Sequence, residues 1–406
     1  MFAWLREGTP QARRALFAGG LGWLLDGFDV TLFAMALPAV RAELGLSAAQ
    51  GGTLGSVTLI GAAVGGILVG LFADRYGRTR ALILSVALYS VFTAACGLAA
   101  SFTQFLIFRF LLGLGFGGEW ASGAALVSET WPSEHRGKAL GLMQSGWAIG
   151  YAAAALVNAL IQPAFGWRAV FFVGLLPAIF TLWVRRNVEE PTIWTANAQA
   201  GMPRGGLSAA FRRPLLGLTI ALTLMNMFTL FAWWGFYLWL PSYLTQPAAQ
   251  GGVGLELLSS SGFIMLMQVG MWFGYVTFGF ISDRIGRRRT YVSYLVAAAL
   301  FLFFYVSVRD PTTLLVLGPF VAFFATGYFS GFGAVTAEIF PTAIRASAQG
   351  FTYNVGRIAS AAAPWAVGSL AATHGYGAAL SLSSFAFLAA AVMWIWIPET
   401  RGRQLT

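Results

Sequence analysis

Long apolar runs separated by short polar turns fill almost the whole chain. A helix rising 1.5 Å per residue needs ~20 such residues to cross ~30 Å of hydrocarbon, and the runs predict twelve crossings. They cover residues 15–40, 50–73, 81–100, 104–128, 138–161, 168–186, 215–240, 258–281, 290–308, 313–337, 346–370 and 377–397. One long polar stretch, residues 187–213, carries Pro191, Gly201, Pro203, Gly205 and Gly206, which break any regular element. It reads as a cytoplasmic linker between an N-terminal half, 1–186, and a C-terminal half, 214–406. The expected fold is an all-α membrane protein with two pseudo-symmetric six-helix halves.

The halves repeat a text. Gly70-Leu-Phe-Ala-Asp74-Arg75-Tyr-Gly77-Arg78 returns as Gly279-Phe-Ile-Ser-Asp283-Arg284-Ile-Gly286-Arg287, an offset of 283 − 74 = 209 residues. Glu129-Thr-Trp-Pro132-Ser-Glu-His-Arg136 returns as Glu338-Ile-Phe-Pro341-Thr-Ala-Ile-Arg345 at the same offset. Paired halves of this kind predict a transporter that rocks about a central site. In the first element Gly77 and Gly286 permit a tight turn, the arginines meet anionic headgroups, and Asp74 and Asp283 sit at the water boundary, able to cap a helix or pair with a cation. Arg136 and Arg345 offer partners for those aspartates. Simple topogenic charge is the plainer reading, but it does not require a matched Asp in both halves.

Composition excludes a soluble fold: 58% of residues are apolar and 10% charged, with a mean hydropathy of +0.71. The net charge of +10 is explained by topology. Of 25 Lys and Arg, Arg41, Arg168 and Arg309 fall in outer loops, Arg109 and Arg357 within spans, and the other 20 on the inner side. That asymmetry predicts both termini in the cytoplasm of a cell whose plasma membrane holds the protein, with lipid and not nucleic acid as the basic residues' partner. The apolar run after the basic N-terminus contains two aspartates and no convincing cleavage site, so it is read as a retained first span. Cys96 is alone and can form no internal disulfide. His135 lies in an inner loop and His374 in an outer one, with no metal-spaced cluster or nucleophile motif. Neither an enzyme nor a metal or other cofactor is expected.

The charges left within spans are Asp26, Asp29, Arg109, Glu119 and Arg357. Each costs ~2.5–3.5 kcal/mol at the bilayer centre, which makes it a functional candidate. Asp26 and Asp29, at i and i+3, share a helix face and should interact, disfavouring double ionisation as a proton carrier needs. Asp29 lies ~21 Å from the inner end of its helix and Arg109 ~8 Å from the outer end of the fourth, so an Asp29–Arg109 pair is allowed, as proton site or as structure. Glycines at 113, 115, 117 and 118 predict backbone-to-backbone packing of the fourth span. Glu119, ~15 Å deeper than Arg109, belongs to another contact, either carrying a proton onward or capping a buried network. Arg357, near the midplane with Asn354 one turn before it, is the preferred anchor for a substrate carboxylate through two parallel hydrogen bonds. Pairing with Asp26 is its plainer reading. Gln144 and Tyr353 are repeat equivalents (353 − 144 = 209) and, with Asn226, complete the candidate binding residues.

These loops resemble the signature of the major facilitator superfamily over essentially the whole chain. The resemblance implies that Asp74, Arg78, Glu129 and Arg136 form one inner latch and Asp283, Arg287, Glu338 and Arg345 its counterpart. Within that family Trp23-Leu-Leu-Asp26-Gly-Phe-Asp29 and Gly113-Leu-Gly-Phe-Gly-Gly-Glu119-Trp120 are similar to the proton symporters of organic acids, sialate and lactate symporters above all, and the aromatic acid symporters share the first element. The fifth span, Gly146-Trp-Ala-Ile-Gly150, lacks the proline of drug antiporters, and Glu189-Glu190-Pro191 is unlike the sugar porters' segment. The function so implied is proton-coupled import of a small organic anion, a monocarboxylate such as lactate, by a monomer. Aromatic acid or sialate symport is the alternative, and sugar symport a weaker one.

Overall fold

The computed structural model describes residues 3–131, 133–190, 207–341 and 344–401. In the first part, α1 (Pro10–Leu44), α2 (Ala48–Tyr76), α3 (Arg78–Cys96), α4 (Phe102–Thr130), α5 (Ser133–Val173) and α6 (Pro177–Asn187) follow one another. The second holds α7 (Leu215–Thr245), α8 (Leu257–Ile285), α9 (Arg287–Ser307), α10 (Pro311–Gly327), α11 (Phe329–Ile339), α12 (Arg345–Ser360) and α13 (Ala362–Met393). Helices are forced by the apolar setting, where each backbone polar group must find its partner within its own segment.

Among the described residues nine helical segments are long and apolar enough to cross a membrane. Two of them, Lys138–Thr181 and Ala348–Met393, run to 44 and 46 residues, more than twice the ~20 that one crossing needs. Each is broken by a glycine in the left-handed region, Gly166 (φ 76°) and Gly375 (φ 78°). These are repeat equivalents, since 375 − 166 = 209, and each turns one long helix into two passes. With α4, nine plus two plus one gives twelve, the number the hydropathy pattern predicts.

The chain divides into two compact units, Met1–Met202 with Leu257–Met265, and Pro203–Glu256 with Leu266–Thr406. The linker differs from expectation at both ends: Glu190 docks onto α3, and Leu207–Phe211 forms a short 3-10 helix. In the first unit α1 packs along α5, and α4 along both α2 and α3. The α4 glycines allow this. A Cβ at Gly113 or Gly117 would collide with the α2 backbone at Thr58 or Ala62, and one at Gly115 would lie 2.6 Å from the Tyr89 nitrogen of α3. In the second unit α7 packs along α12 and α13.

Candidate functional site

Tight packing of α4 gathers four buried charged groups, Asp26, Asp29, Arg109 and Glu119, in the first unit. Asp29 is 2% exposed. The Thr93 hydroxyl of α3 donates to its Oδ2, and the Arg109 guanidinium of α4 acts on it through its charge. Arg109, itself 2% exposed, lies 4.0 Å over the Phe33 ring, one turn beyond Asp29. Asp29 and Arg109 thus lie within electrostatic reach of each other, but no salt bridge joins them among the described residues, and the direct partner of Asp29 is the Thr93 hydroxyl.

Asp26 takes a different partner. Its carboxyl stands in side-chain hydrogen-bond contact with Glu119, and both residues are buried. Gly22, one turn before Asp26, makes room: the Glu119 Oε1 occupies the place a Cβ there would need. Two carboxyl groups share a hydrogen bond only while one of them carries a proton, so this pair can hold one. Asp26 and Asp29, expected to act on each other, thus engage separate partners one helical turn apart. Thr93 and Tyr89 are not singled out by the charge pattern. Their signal is a row of hydroxyls at i, i+4 and i+8, Ser85, Tyr89 and Thr93, all buried on one face of α3.

In the second unit, Arg357 on α12 is 2% exposed. Its guanidinium lies 4.9 Å from the Tyr353 ring and its Nη2 donates to the Tyr353 hydroxyl at 3.5 Å. Tyr353 packs against Phe332, 5.7 Å between ring centres, and lies within electrostatic reach of Tyr328 together with Tyr237, Tyr275 and Tyr291. Trp233 stacks on Tyr237 at 4.7 Å. Asn226 of α7 is buried where Gly356 lets α12 approach, a Cβ at Gly356 lying 2.9 Å from that of Asn226. Asn354 is half-buried on α12, and Gln144 half-buried on α5 of the first unit.

The repeated loops carry their own chemistry. Arg287 Nη2 donates to Glu338 Oε1 at 3.1 Å and Arg287 Nη1 to the Ser282 hydroxyl at 2.6 Å. Thr400 donates to Glu338 Oε2 at 2.5 Å. Arg287 and Glu338 are thus brought together, and Arg78 is half-buried at the start of α3. The side chains of Asp74, Glu129, Arg136, Asp283 and Arg345 lie outside the described residues. Two further acids join the repeat. Glu190 accepts from the backbone N–H of Arg78 (2.6 Å), Thr79 (3.1 Å) and Arg80 (3.3 Å). Glu399 accepts from those of Arg287 (2.8 Å) and Arg288 (3.2 Å). Both cap the N-terminus of a helix that a glycine opens, Gly77 at φ 114° and Gly286 at φ 102°. Partial burial works against the Glu399 charge, but backbone N–H groups of Arg401, Arg287, Arg288 and Thr400 outweigh it and hold the carboxyl below its usual range.

Beside the first loop, the N-terminal segment is packed down. Trp4 meets Trp131 edge-on at 5.0 Å, the Trp131 indole donates to the Ala12 carbonyl at 2.8 Å, and His135 lies 2.6 Å from Glu7.

Paired sets of membrane-long helices, a repeated loop motif in both units and buried charges inside them are the marks of a membrane transporter. The profile of the Major Facilitator Superfamily matches residues 20–276 and 252–406, and the chain belongs to that superfamily of membrane transporters; it is not an enzyme. It is 38% identical over 411 residues to a probable 4-methylmuconolactone transporter of Cupriavidus pinatubonensis, covering 99% of this chain and 94% of that one. It is 30% identical to the sialic acid transporter NanX of Escherichia coli, covering 97% and 96%. Among solved structures it resembles the xylose transporter XylE of E. coli in a partially occluded inward-open conformation, with a TM-score of 0.79, 20% identity and coverage of 98% and 100%. At that identity the likeness concerns the fold.

Proposed function

We propose that this protein imports a small organic anion together with a proton by alternating access, with a monocarboxylate such as lactate as substrate. The observation that carries this reading is the division of buried charge. The first unit buries three acids and one arginine within electrostatic reach of one another, whereas the second holds Arg357 within a buried aromatic cluster. A guanidinium is permanently charged and grips a carboxylate with two parallel hydrogen bonds, so Arg357, with Tyr353, Asn354, Asn226 and Gln144, is assigned to the substrate. The acids are assigned to the proton. Coupling matters because a proton entering with the anion cancels the charge that the membrane potential opposes, ~2.3 kcal/mol per 100 mV.

A second reading, a larger acid such as sialate or an aromatic acid, is favoured by the sialic acid transporter among the relatives and by the aromatic rings around Arg357. Either reading takes 1–186 and 214–406 as the moving halves and 187–213 as their linker. The protein works as a monomer in the plasma membrane with both termini in the cytoplasm. The charge distribution supports that orientation. The eight loop residues Asp74, Arg78, Glu129, Arg136, Asp283, Arg287, Glu338 and Arg345 are assigned to the inner gate.

The test is uptake of labelled lactate, pyruvate, sialate, benzoate and a hexose into proteoliposomes, with and without an inward proton gradient. Gradient-driven accumulation of one acid is the expected result. Equilibration indifferent to the gradient, or accumulation of the hexose alone, overturns the reading.

A further inference from the structure

The two acid contacts of the first unit leave a gap that one residue spans. On α3, Thr93 donates to Asp29, while two turns earlier Ser85 Oγ lies 2.6 Å from the position a Cβ would take at Gly118, the neighbour of Glu119. Tyr89 stands midway between them on the same row, one turn from each. Its backbone is held against Gly115, one turn before Glu119 on α4. The level of Asp29 and the level of the Asp26–Glu119 pair therefore lie on either side of Tyr89. Its side chain is 1% exposed, and its hydroxyl makes no hydrogen bond among the described residues. The Asp29 Oδ1 is in the same condition, since Thr93 serves the other oxygen. Asp26, Asp29 and Glu119 all act on the Tyr89 hydroxyl through their charges. A buried hydroxyl without a partner is costly, so its retention in the midst of three acids points to use.

We infer that Tyr89 is a proton relay joining the Asp26–Glu119 pair to Asp29. The inference rests on the proton-coupled reading above. In the forward step the Tyr89 hydroxyl, which makes no hydrogen bond among the described residues in this structure, closes on both carboxyl sites, and the acidic proton of the pair passes to its oxygen as its own proton passes to Asp29 Oδ1. One O–H bond breaks at the carboxyl, one forms and one breaks at the phenol, and one forms at Asp29. Tyr89 ends as it began, the pair has lost a proton and Asp29 has gained one, which removes the negative charge that acts on Arg109. The charged and titratable groups facing the hydroxyl are Asp26 and Asp29 from α1 and Glu119 from α4; Arg109 of α4 and Cys96 of α3 lie beyond, around Asp29. A phenol suits the task because it donates and accepts at one atom and leaves no net charge in an apolar setting.

Tyr89→Phe removes the hydroxyl and keeps the ring. In proteoliposomes the variant should retain substrate exchange in the absence of a gradient, with affinity within about twofold of the parent, while accumulation driven by an inward proton gradient falls by at least about tenfold. Accumulation equal to the parent's overturns the relay. Loss of exchange together with accumulation overturns it in favour of a packing role. Incorporating 3-fluorotyrosine at position 89 gives a near-isosteric second test, since it acidifies the phenol without emptying its place. The pH midpoint of driven uptake should then move, and an unchanged profile overturns the inference. If the parent protein itself shows no gradient-driven uptake, it is the coupled reading that fails, and the two failures are told apart by that control.

Discussion

Glu190 caps the first turn of α3 as Glu399, 209 residues further on (399 − 190 = 209), caps that of α9. In each case a glycine with positive φ opens the helix and the carboxylate fills the space in front of it, so that a Cβ at Gly77 or Gly286 would strike the acid. The two loops therefore share a structural device in which acids from the end of each six-helix repeat lock its second and third spans.

Removing a cap should loosen its loop. A carboxylate at a helix N-terminus contributes ~0.3–1 kcal/mol, rising when several N–H groups are served. Glu190→Gln is expected to lower the thermal midpoint in detergent by a few degrees, and an unchanged midpoint would show that water replaces the acid without loss.

Acid should have the same effect at Glu399. Its folded-state carboxyl titrates below the unfolded value, so its stabilising contribution is complete above the unfolded value and is lost as pH falls through the lowered folded one. Thermal midpoints measured downward from pH 6 should show an acid limb that Glu399→Gln makes shallower. Identical limbs in parent and variant would remove Glu399 as its source.

Asp29→Asn keeps the acceptor that Thr93 needs but abolishes the titratable group. The expected outcome is loss of proton-driven accumulation with retention of exchange. Accumulation at the parent level would take Asp29 out of the coupling role.

Arg357→Lys keeps the charge and loses the planar fork and its place against the Tyr353 ring. Substrate affinity should fall by about tenfold or more, the equivalent of ~1.4 kcal/mol. Binding isotherms that superimpose would refute Arg357 as the anchor.

Gly117→Ala tests the packing on which both acid contacts depend. Its Cβ meets the Ala62 carbonyl, which belongs to backbone and cannot turn aside. Forced separation of α2 and α4 is expected to cost ~1–3 kcal/mol, read as a lower thermal midpoint. A stable, active variant would mean that α4 need not lie so close.

Much of this protein is written locally. Lipid leaves a spanning backbone no partner but itself, so apolar length alone sets the helices, and Arg and Lys counts between them predict their direction. Repetition at a fixed offset set out the paired halves and the loops at 74–78 and 283–287. Rarity singled out Asp26, Asp29, Arg109, Glu119 and Arg357, because a charge in hydrocarbon is too costly to be idle.

Which of these charges meet was a matter for the tertiary structure. Asp26 and Asp29 share a helix face, yet one turns to Glu119 and the other to Thr93, since the partner of each depends on how α1, α3 and α4 are rotated and how closely their glycines let them approach. Thr93 reaches Asp29 across 64 positions of sequence, and Glu190 reaches α3 across 112. Neither distance leaves a local trace. Periodicity and composition constrain a residue's own helix, whereas a contact is decided by the volumes and faces of the helices that converge on it.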